Sequence, residues 1–250
     1  MEITSAQKIE SLTEQIGILP FFKNSIEGFS IEEHTPEDFW FNDEVDGPWE
    51  WKGPIISNFR CVYGKFFNKK AGYISLSHFA KLAVHRRQMY QLAHFTALEQ
   101  KIYDTIRQHE AIRSDALKEL LGFGPKKRCT KSANPIDNLI DISPKNKKKK
   151  SDESVDTALV RLQMGTWIVC ADFEYLYTKE GKRYGWGKAV YTTPEILYGE
   201  DLLSSYAHND ADKVYYEFCK EVSLHTNLLT NVPCTAQDIA KLMGELRGKK

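Results

Sequence analysis

One predicted helix carries four polar side chains that are suited to contact DNA. They are Asp156, Thr157, Arg161 and Gln163. Arg161 can donate two hydrogen bonds to guanine O6 and N7, and Gln163 can pair in the same bidentate way with adenine N6 and N7. A helix is predicted because Val155, Leu159 and Leu162 recur at i, i+4 and i+7. The alternative is that the helix only packs against the rest of the chain and that Arg161 is a solvated surface residue.

A lysine-rich segment precedes this helix and provides a second group of candidates. Residues 126–150 contain nine basic residues and two acidic ones, whereas residues 27–51 contain nine acidic residues and no lysine or arginine. The basic side chains predicted to contact phosphate are Lys126, Lys127, Arg128, Lys147, Lys148, Lys149 and Lys150. A flexible basic arm neutralises phosphates without reading sequence. The same composition is also typical of a solvated, disordered loop.

Carboxylates and tryptophans are combined in the acidic segment, residues 27–51. Pro36-Glu37-Asp38 followed by Glu50-Trp51-Lys52 resembles the PD-(D/E)xK nuclease pattern, in which carboxylates hold Mg²⁺ and a lysine steadies the attacking water. The match is short, and no pattern of an α/β/α core surrounds it. The structural alternative is a turn shaped by the glycines and prolines of residues 47–54, with the tryptophans as anchors. We therefore predict no metal ion and no cofactor.

The composition is that of a globular protein, which we expect in the cytoplasm. With 250 residues, of which 42% are hydrophobic and 27% charged, the chain is long enough for one large domain or two smaller ones. No apolar run approaches the roughly 18 residues of a membrane span, so we predict no membrane contact. The five cysteines are far apart and form no CxxC pair, which predicts free thiols.

The elements around the predicted helix follow the order of a winged helix-turn-helix. Local patterns predict helices at 98–109 and 115–121, and strands at 167–173 and 184–191. A charged tip at 178–183 joins the strands, and its Gly181 supplies the backbone freedom of a turn. Lys182 and Arg183 in this tip are further candidates for DNA contact. The order helix, helix, helix, strand, wing, strand predicts a winged helix.

Two further elements precede this unit. Residues 61–67 and 72–76 have the strand formers of a β-hairpin. A helix capped by Ser77 follows, and its later part is expected to expose His85, Arg86 and Arg87.

We predict an α+β fold that is mostly helical and contains tandem winged helix-turn-helix units with short β-hairpins. Residues 1–96 form an N-terminal α+β unit, and a degenerate winged helix is one interpretation of it. Residues 97–193 form a winged helix with a basic insert at 123–153. Residues 194–250 form a C-terminal helical segment.

Five motifs together resemble those of a known family. They are Trp49-Glu50-Trp51-Lys52-Gly53-Pro54, Tyr63-Gly64-Lys65-Phe66-Phe67, Arg161-Leu162-Gln163-Met164, Asp172-Phe173-Glu174-Tyr175 and Tyr184-Gly185-Trp186-Gly187. With these motifs the chain resembles the small AlkZ-related (YcaQ-like) winged-helix proteins of bacteria. The AlkZ proteins proper are DNA glycosylases with tandem winged helices around a cleft that holds damaged duplex. The resemblance therefore implies tandem winged helices and contact with double-stranded DNA.

The resemblance also implies what a catalytic site would contain. AlkZ glycosylases use Gln, an apolar residue, then Gln or Asp to position and activate the hydrolytic water. The nearest string here is Gln163-Met164-Gly165, whose third residue has no side chain. Glu50 or Asp46 could supply a carboxylate instead, if their segment lies across the cleft. Gln163, Glu50 and Asp46 are therefore the candidate catalytic residues.

We expect a winged-helix DNA-binding protein that is related to alkylpurine DNA glycosylases and has lost all or part of their activity. Two alternatives stay open. One is an active DNA glycosylase for alkylated bases, and the other is a protein-interaction module that binds a basic partner through the acidic, tryptophan-rich face. The position of the acidic segment discriminates between the DNA-binding interpretations and protein binding, because carboxylates in the same cleft as the recognition helix would repel phosphate.

Overall fold

The computed structural model describes residues 1–41, 44–123, 153–181, 183–206 and 209–246. The α-helices in these ranges are α1 (Ala6–Ile16), α2 (Ile31–His34), α3 (Pro48–Ser57), α4 (Leu76–Met89), α5 (Ala97–His109), α6 (Ser114–Leu120), α7 (Val155–Met164), α8 (Pro194–Tyr198), α9 (Asp201–Ser204), α10 (Ala211–His225) and α11 (Ala236–Met243). The strands are β1 (Ile18–Pro20), β2 (Cys61–Phe67), β3 (Lys70–Ser75), β4 (Ala111–Arg113), β5 (Val169–Tyr177) and β6 (Arg183–Thr192). The predicted α+β class with mostly helical structure is confirmed.

The strands form one antiparallel sheet in the order β1-β3-β2-β5-β6-β4, which consists of two equivalent halves. In the first half Tyr63 of β2 pairs with Tyr73 of β3, and in the second half Cys170 of β5 pairs with Tyr191 of β6. Tyr63 and Cys170 also pair with each other where the halves meet. Equivalent residues therefore face each other across the centre of the sheet, which gives it an approximate two-fold symmetry.

The order of elements along the chain shows the same repeat. The first half runs α1, β1, α2, α3, β2, β3, and the second half runs α5, β4, α6, α7, β5, β6. In both halves a residue with positive φ lies two positions after the third helix. This residue is Phe59 (φ 54°) after α3 and Thr166 (φ 61°) after α7. The turn from third helix to strand is thus built in the same place twice.

The third helix of each half packs against the hairpin of the other half. α3 contacts β5, where the Tyr175 hydroxyl donates a hydrogen bond to the Trp49 carbonyl at 2.9 Å. α7 contacts β2, where the Lys65 backbone N–H donates to the Gln163 side-chain oxygen at 3.1 Å. The buried residues of both halves form one hydrophobic cluster. This exchange of helices and hairpins positions α7 relative to the first half.

Side chains satisfy the free backbone groups at the start of the second half's long helices. Thr96 Oγ1 accepts from the Glu99 N–H at 3.2 Å, and Glu99 Oε2 accepts from the Thr96 N–H at 2.7 Å, which is a capping box. Ser154 caps α7 by accepting from the Thr157 N–H at 3.1 Å. The helices and strands predicted between residues 98 and 191 are confirmed, with ends that shift by a few residues.

The turn predicted at residues 47–54 is wrong, because these residues form most of α3. Pro48 stands at the first helical position, where a helix has no use for an N–H donor. Glu50 then caps the helix by accepting from the Gly47 N–H at 3.0 Å. Prolines and glycines that are typical of turns are therefore compatible with a helix here.

The helix after the first hairpin also differs from its prediction. α4 begins at Leu76, and its cap is Ser75 rather than Ser77. Arg86 was expected on an exposed face, but it is buried. The cause is tertiary packing, since the Arg86 guanidinium is hydrogen-bonded to the carbonyls of Met164 in α7, Phe66 in β2 and Met243 in α11.

The remaining described features concern thiols and hydropathy. The described cysteines Cys61, Cys170, Cys219 and Cys234 are free, as predicted, and the first three are buried. Within the described ranges, none of the helices combines the length and the apolar character that a membrane span requires.

Candidate nucleic-acid interface

Helix α7 has one face in the core and one face on a cleft. Its apolar residues are buried, as their helical spacing predicts. Asp156 and Thr157 are exposed, and together with Val160, Arg161 and Met164 they line a cleft of about 1350 Å³. This volume exceeds the range of about 300 to 1,000 Å³ that is typical of small-molecule pockets. Three of the four polar residues singled out in this helix, Asp156, Thr157 and Arg161, therefore border an open cleft.

Cationic side chains from several elements line the other walls of this cleft. The turn between β2 and β3 contributes Lys69, α4 contributes Arg86, and α11 contributes Lys241. Two carboxylates, Asp156 and Glu245, also line it. Among the described lining residues none comes from the acidic segment 27–51. The field along α7 is therefore not dominated by that segment.

Arg161 is held at the edge of the cleft by two carboxylates. Its Nε lies 3.0 Å from Glu99 Oε1, and its NH2 group pairs with Glu153. Glu99 is fully buried and is fixed by the bond from the Thr96 N–H to its other oxygen. The guanidinium is consequently oriented by a desolvated carboxylate, and its side chain is 26% exposed.

The string that resembles the catalytic signature lies in the protein interior. Gln163 is buried, its Oε1 accepts from the Lys65 N–H at 3.1 Å, and its Nε2 donates to the Leu159 carbonyl at 3.1 Å. A β-carbon on Gly165 would lie 2.9 Å from a ring carbon of Trp167, closer than normal packing allows. Gln163 thus joins α7 to β2, and the position of Gly165 has no room for a larger side chain.

Arg86 ties four elements together beneath the cleft. Its NH1 group donates to the Met164 carbonyl at 2.6 Å, and its NH2 group donates to the carbonyls of Phe66 at 3.2 Å and Met243 at 2.7 Å. Burial lowers the pKa of Arg86 to about 10, so the side chain stays charged at neutral pH. No local sequence motif marks this role of Arg86. Its helical spacing from the apolar residues of α4 is the signal that could have predicted burial.

The β5–β6 hairpin brings Arg183 to the acidic segment. Arg183 NH2 lies 3.2 Å from Asp46 Oδ1 and 3.5 Å from Glu50 Oε1, and its guanidinium carbon lies 4.8 Å from the centroid of the Tyr175 ring. Two of the candidate catalytic residues, Asp46 and Glu50, are therefore ion-paired with a residue that was predicted to contact DNA. Neither carboxylate lines the α7 cleft.

Lys52, the lysine of the nuclease-like string, is enclosed by aromatic rings. Its Nζ lies 4.0 Å from the Phe173 ring centroid and 5.0 Å from that of Trp49. Burial lowers its pKa to about 8. In the part of the chain that the structure describes, no group of three or more His, Cys, Asp or Glu side chains is placed to hold a metal ion. These contacts give Lys52 a place in the packing between α3 and β5.

Eight predicted phosphate contacts lie outside the described residues. They are Lys126, Lys127, Arg128, Lys147, Lys148, Lys149, Lys150 and Lys182. The prediction for these side chains continues to depend on the sequence alone.

The fold and the cleft define the class of protein. It is an α+β protein with a duplicated unit, in which the two halves share one antiparallel sheet and the third helix of the second half lines a cleft. The chain belongs to the AlkZ-related family, because the family model described as AlkZ related matches residues 3–231, nearly the whole chain. The resemblance seen in the sequence is thereby confirmed. No curated protein and no solved structure gave a match.

Proposed function

We propose that this protein binds double-stranded DNA along α7 and the cleft beside it, and that each half of the sheet is part of a winged-helix unit. The repeated order helix, strand, helix, helix, strand, strand supports this assignment. In it α7 is the recognition helix of the second unit, residues 97–193, and the β5–β6 hairpin is its wing. The first unit, residues 1–96, repeats the same plan, and residues 194–250 pack mainly against this first unit.

The observation that carries the proposal is the contrast between the two third helices. Both helices pack against the hairpin of the opposite half, but none of the described residues of α3 lines the cleft. α7 instead exposes Asp156 and Thr157 to the cleft. An exposed polar face on a third helix is what base contact in the major groove requires. Membership in a family named for its relation to AlkZ adds support for DNA as the partner.

Cations on the walls of the cleft provide the attraction for the phosphate backbone. Lys69 and Lys241 are far apart in the sequence and line the same cleft as α7. Each lysine that neutralises a phosphate releases counterions, so binding should weaken with salt. Arg161 lines the same cleft, but Glu99 and Glu153 engage its Nε and NH2 groups, so the phosphate contacts are assigned to the two lysines. These phosphate contacts favour positioning on duplex DNA.

We further propose that the protein binds DNA without excising bases. A hydrolytic glycosylase needs a polar group near the sugar C1′ to orient water. The Gln163 amide is buried, with both ends hydrogen-bonded within the protein. Gly165 offers no polar group, and Asp46 and Glu50 pair with Arg183 outside the α7 cleft. These contacts argue against both the shortened signature and the acidic segment as a water-activating site.

Salt titration of DNA binding tests the interface. Fluorescence anisotropy with labelled duplexes should give a falling log K against log salt, and Lys69→Ala and Lys241→Ala should each flatten the slope by about 0.9. Lys213→Ala is the matched control, because this exposed lysine lies on α10 and outside the described lining of the cleft. Equal effects of all three substitutions would contradict contact at the cleft. Absence of binding to any duplex at low salt would refute the function.

An excision assay tests the second part of the proposal. Duplex DNA that carries N7- or N3-alkylated purines should release no base at stoichiometric protein. Release that disappears in Gln163→Ala would show that the shortened signature is sufficient. Release that disappears in Glu50→Gln would make Glu50 the catalytic carboxylate, and either result would overturn the proposal.

A further inference from the structure

We propose that the acidic segment competes with DNA phosphate for Arg183, so that Asp46 restrains DNA contact by the β5–β6 hairpin. The inference depends on the proposed DNA-binding function and adds a regulatory contact to it. It also gives a role to carboxylates that the α7 cleft does not use. The competing ligands are of one chemical type, since carboxylate and phosphate oxygens both accept hydrogen bonds from the planar guanidinium.

The geometry places two carboxylates at the nitrogen that a phosphate would need. Arg183 NH2 lies 3.2 Å from Asp46 Oδ1 and 3.5 Å from Glu50 Oε1. The Tyr175 ring, 4.8 Å from the guanidinium carbon, supports the side chain in this orientation. One arginine between two carboxylates carries a net charge of −1, so this part of the hairpin repels phosphate while the contact is closed.

The contact can open at little cost, which a competitor requires. The side chains of Arg183 and Asp46 are 37% and 68% exposed, so water can solvate both charges after they separate. Glu50 is 21% exposed and keeps its hydrogen bond from the Gly47 N–H when Arg183 leaves. The Arg161–Glu99 pair differs, because Glu99 is fully buried and would be left as an unpaired buried charge. Exchange of a carboxylate for a phosphate is therefore favoured at Arg183 rather than at Arg161.

The two partners come from different halves of the protein. Asp46 precedes α3 in the first half, and Arg183 begins β6 in the second half. The pairing gives two of the nine acidic residues in segment 27–51 a partner in the second half. DNA that engages the hairpin must replace the first half's carboxylate, so the first half sets the affinity of the second half's wing.

A double-mutant cycle tests the competition. Anisotropy titrations at low salt with one labelled duplex compare wild type, Asp46→Asn, Arg183→Ala and the double variant. Asp46→Asn removes an exposed ion pair and should therefore tighten DNA binding about two- to five-fold. The same substitution in the Arg183→Ala background should leave the affinity unchanged. Asp38→Asn is the matched control, because it removes an exposed carboxylate of the same segment that has no described contact with Arg183.

The outcomes separate this inference from the proposed function. Tightening in Asp46→Asn that requires Arg183, with no change in Asp38→Asn, supports the competition. Equal tightening in Asp46→Asn and Asp38→Asn, or tightening that persists without Arg183, overturns it in favour of general charge repulsion. Wild-type binding that Asp46→Asn leaves unchanged overturns the inference alone. Absence of binding in every variant refutes the proposed function and the inference with it.

Discussion

Replacing Arg86 with methionine should destabilise the protein by about 2 to 6 kcal/mol. Methionine keeps a long apolar stem but removes the donors that bind the carbonyls of Met164, Phe66 and Met243. Three hydrogen bonds from a charged donor contribute about 1.5 to 3 kcal/mol each. Removal of the buried charge offsets part of this loss, because the substitution also removes the desolvation cost of the guanidinium. Burial lowers the pKa of Arg86 from 12.5 to about 10, which corresponds to about 3 kcal/mol. The difference is a large share of a typical stability of about 5 to 15 kcal/mol.

Urea unfolding followed by tryptophan fluorescence measures this change. The midpoint should fall while the slope with denaturant stays the same, because the surface exposed on unfolding is unchanged. Arg60→Met is the control, since Arg60 forms an exposed ion pair with Glu14 and should change stability by less than about 1 kcal/mol. If Arg86→Met stayed within about 1 kcal/mol of wild type at unchanged slope, the buried carbonyls would not depend on the guanidinium, and the reasoning would be refuted.

Four further predictions address single features. The stability of wild type relative to Lys52→Met should increase as the pH rises from about 8 to 10.5, because in this window the unfolded lysine still holds a proton that the folded lysine has released. Unfolding at about pH 7 and pH 10 measures this stability difference, and a difference that stays constant would contradict the prediction. Gly165→Ala should lower the free energy of unfolding by about 1 to 3 kcal/mol, because the new β-carbon would lie 2.9 Å from a ring carbon of Trp167. An unchanged midpoint in the same urea assay would argue against this packing. Glu99 and Glu153 engage the Nε and NH2 groups of Arg161, so a base contact would use its NH1 group. Arg161→Ala, combined with Glu99→Gln to avoid a stranded charge, should weaken DNA binding by about 1 kcal/mol and relax preference at one base position, and an identical profile in a binding selection would remove the base contact. Alanine at the four lysines of 147–150 should flatten the salt slope by up to about four times 0.9, whereas an unchanged slope would leave them as a solvated loop.

Local sequence patterns were sufficient for most of the second half of the fold. The apolar spacing of α5 and α7, the capping residue Thr96 and the turn at Gly181 each depend on neighbours within a few positions along the chain. The first hairpin was predicted for the same reason. Local patterns were misleading at residues 47–54, because proline at the first position of a helix and proline in a turn look alike in sequence.

The sequence by itself also determined the family and the candidate residues of α7, since both are properties of short motifs. Only the tertiary structure decided what those residues contact. It placed the Gln163 side chain in the core, buried Arg86 beneath the cleft, and paired Asp46 with Arg183, which lies 137 positions further along the chain. It also placed Tyr63 opposite Cys170, which reveals the repeat that has no strict counterpart in sequence. The physical reason is that propensity and capping are set by adjacent residues, whereas burial and ion pairing depend on which distant segments pack together.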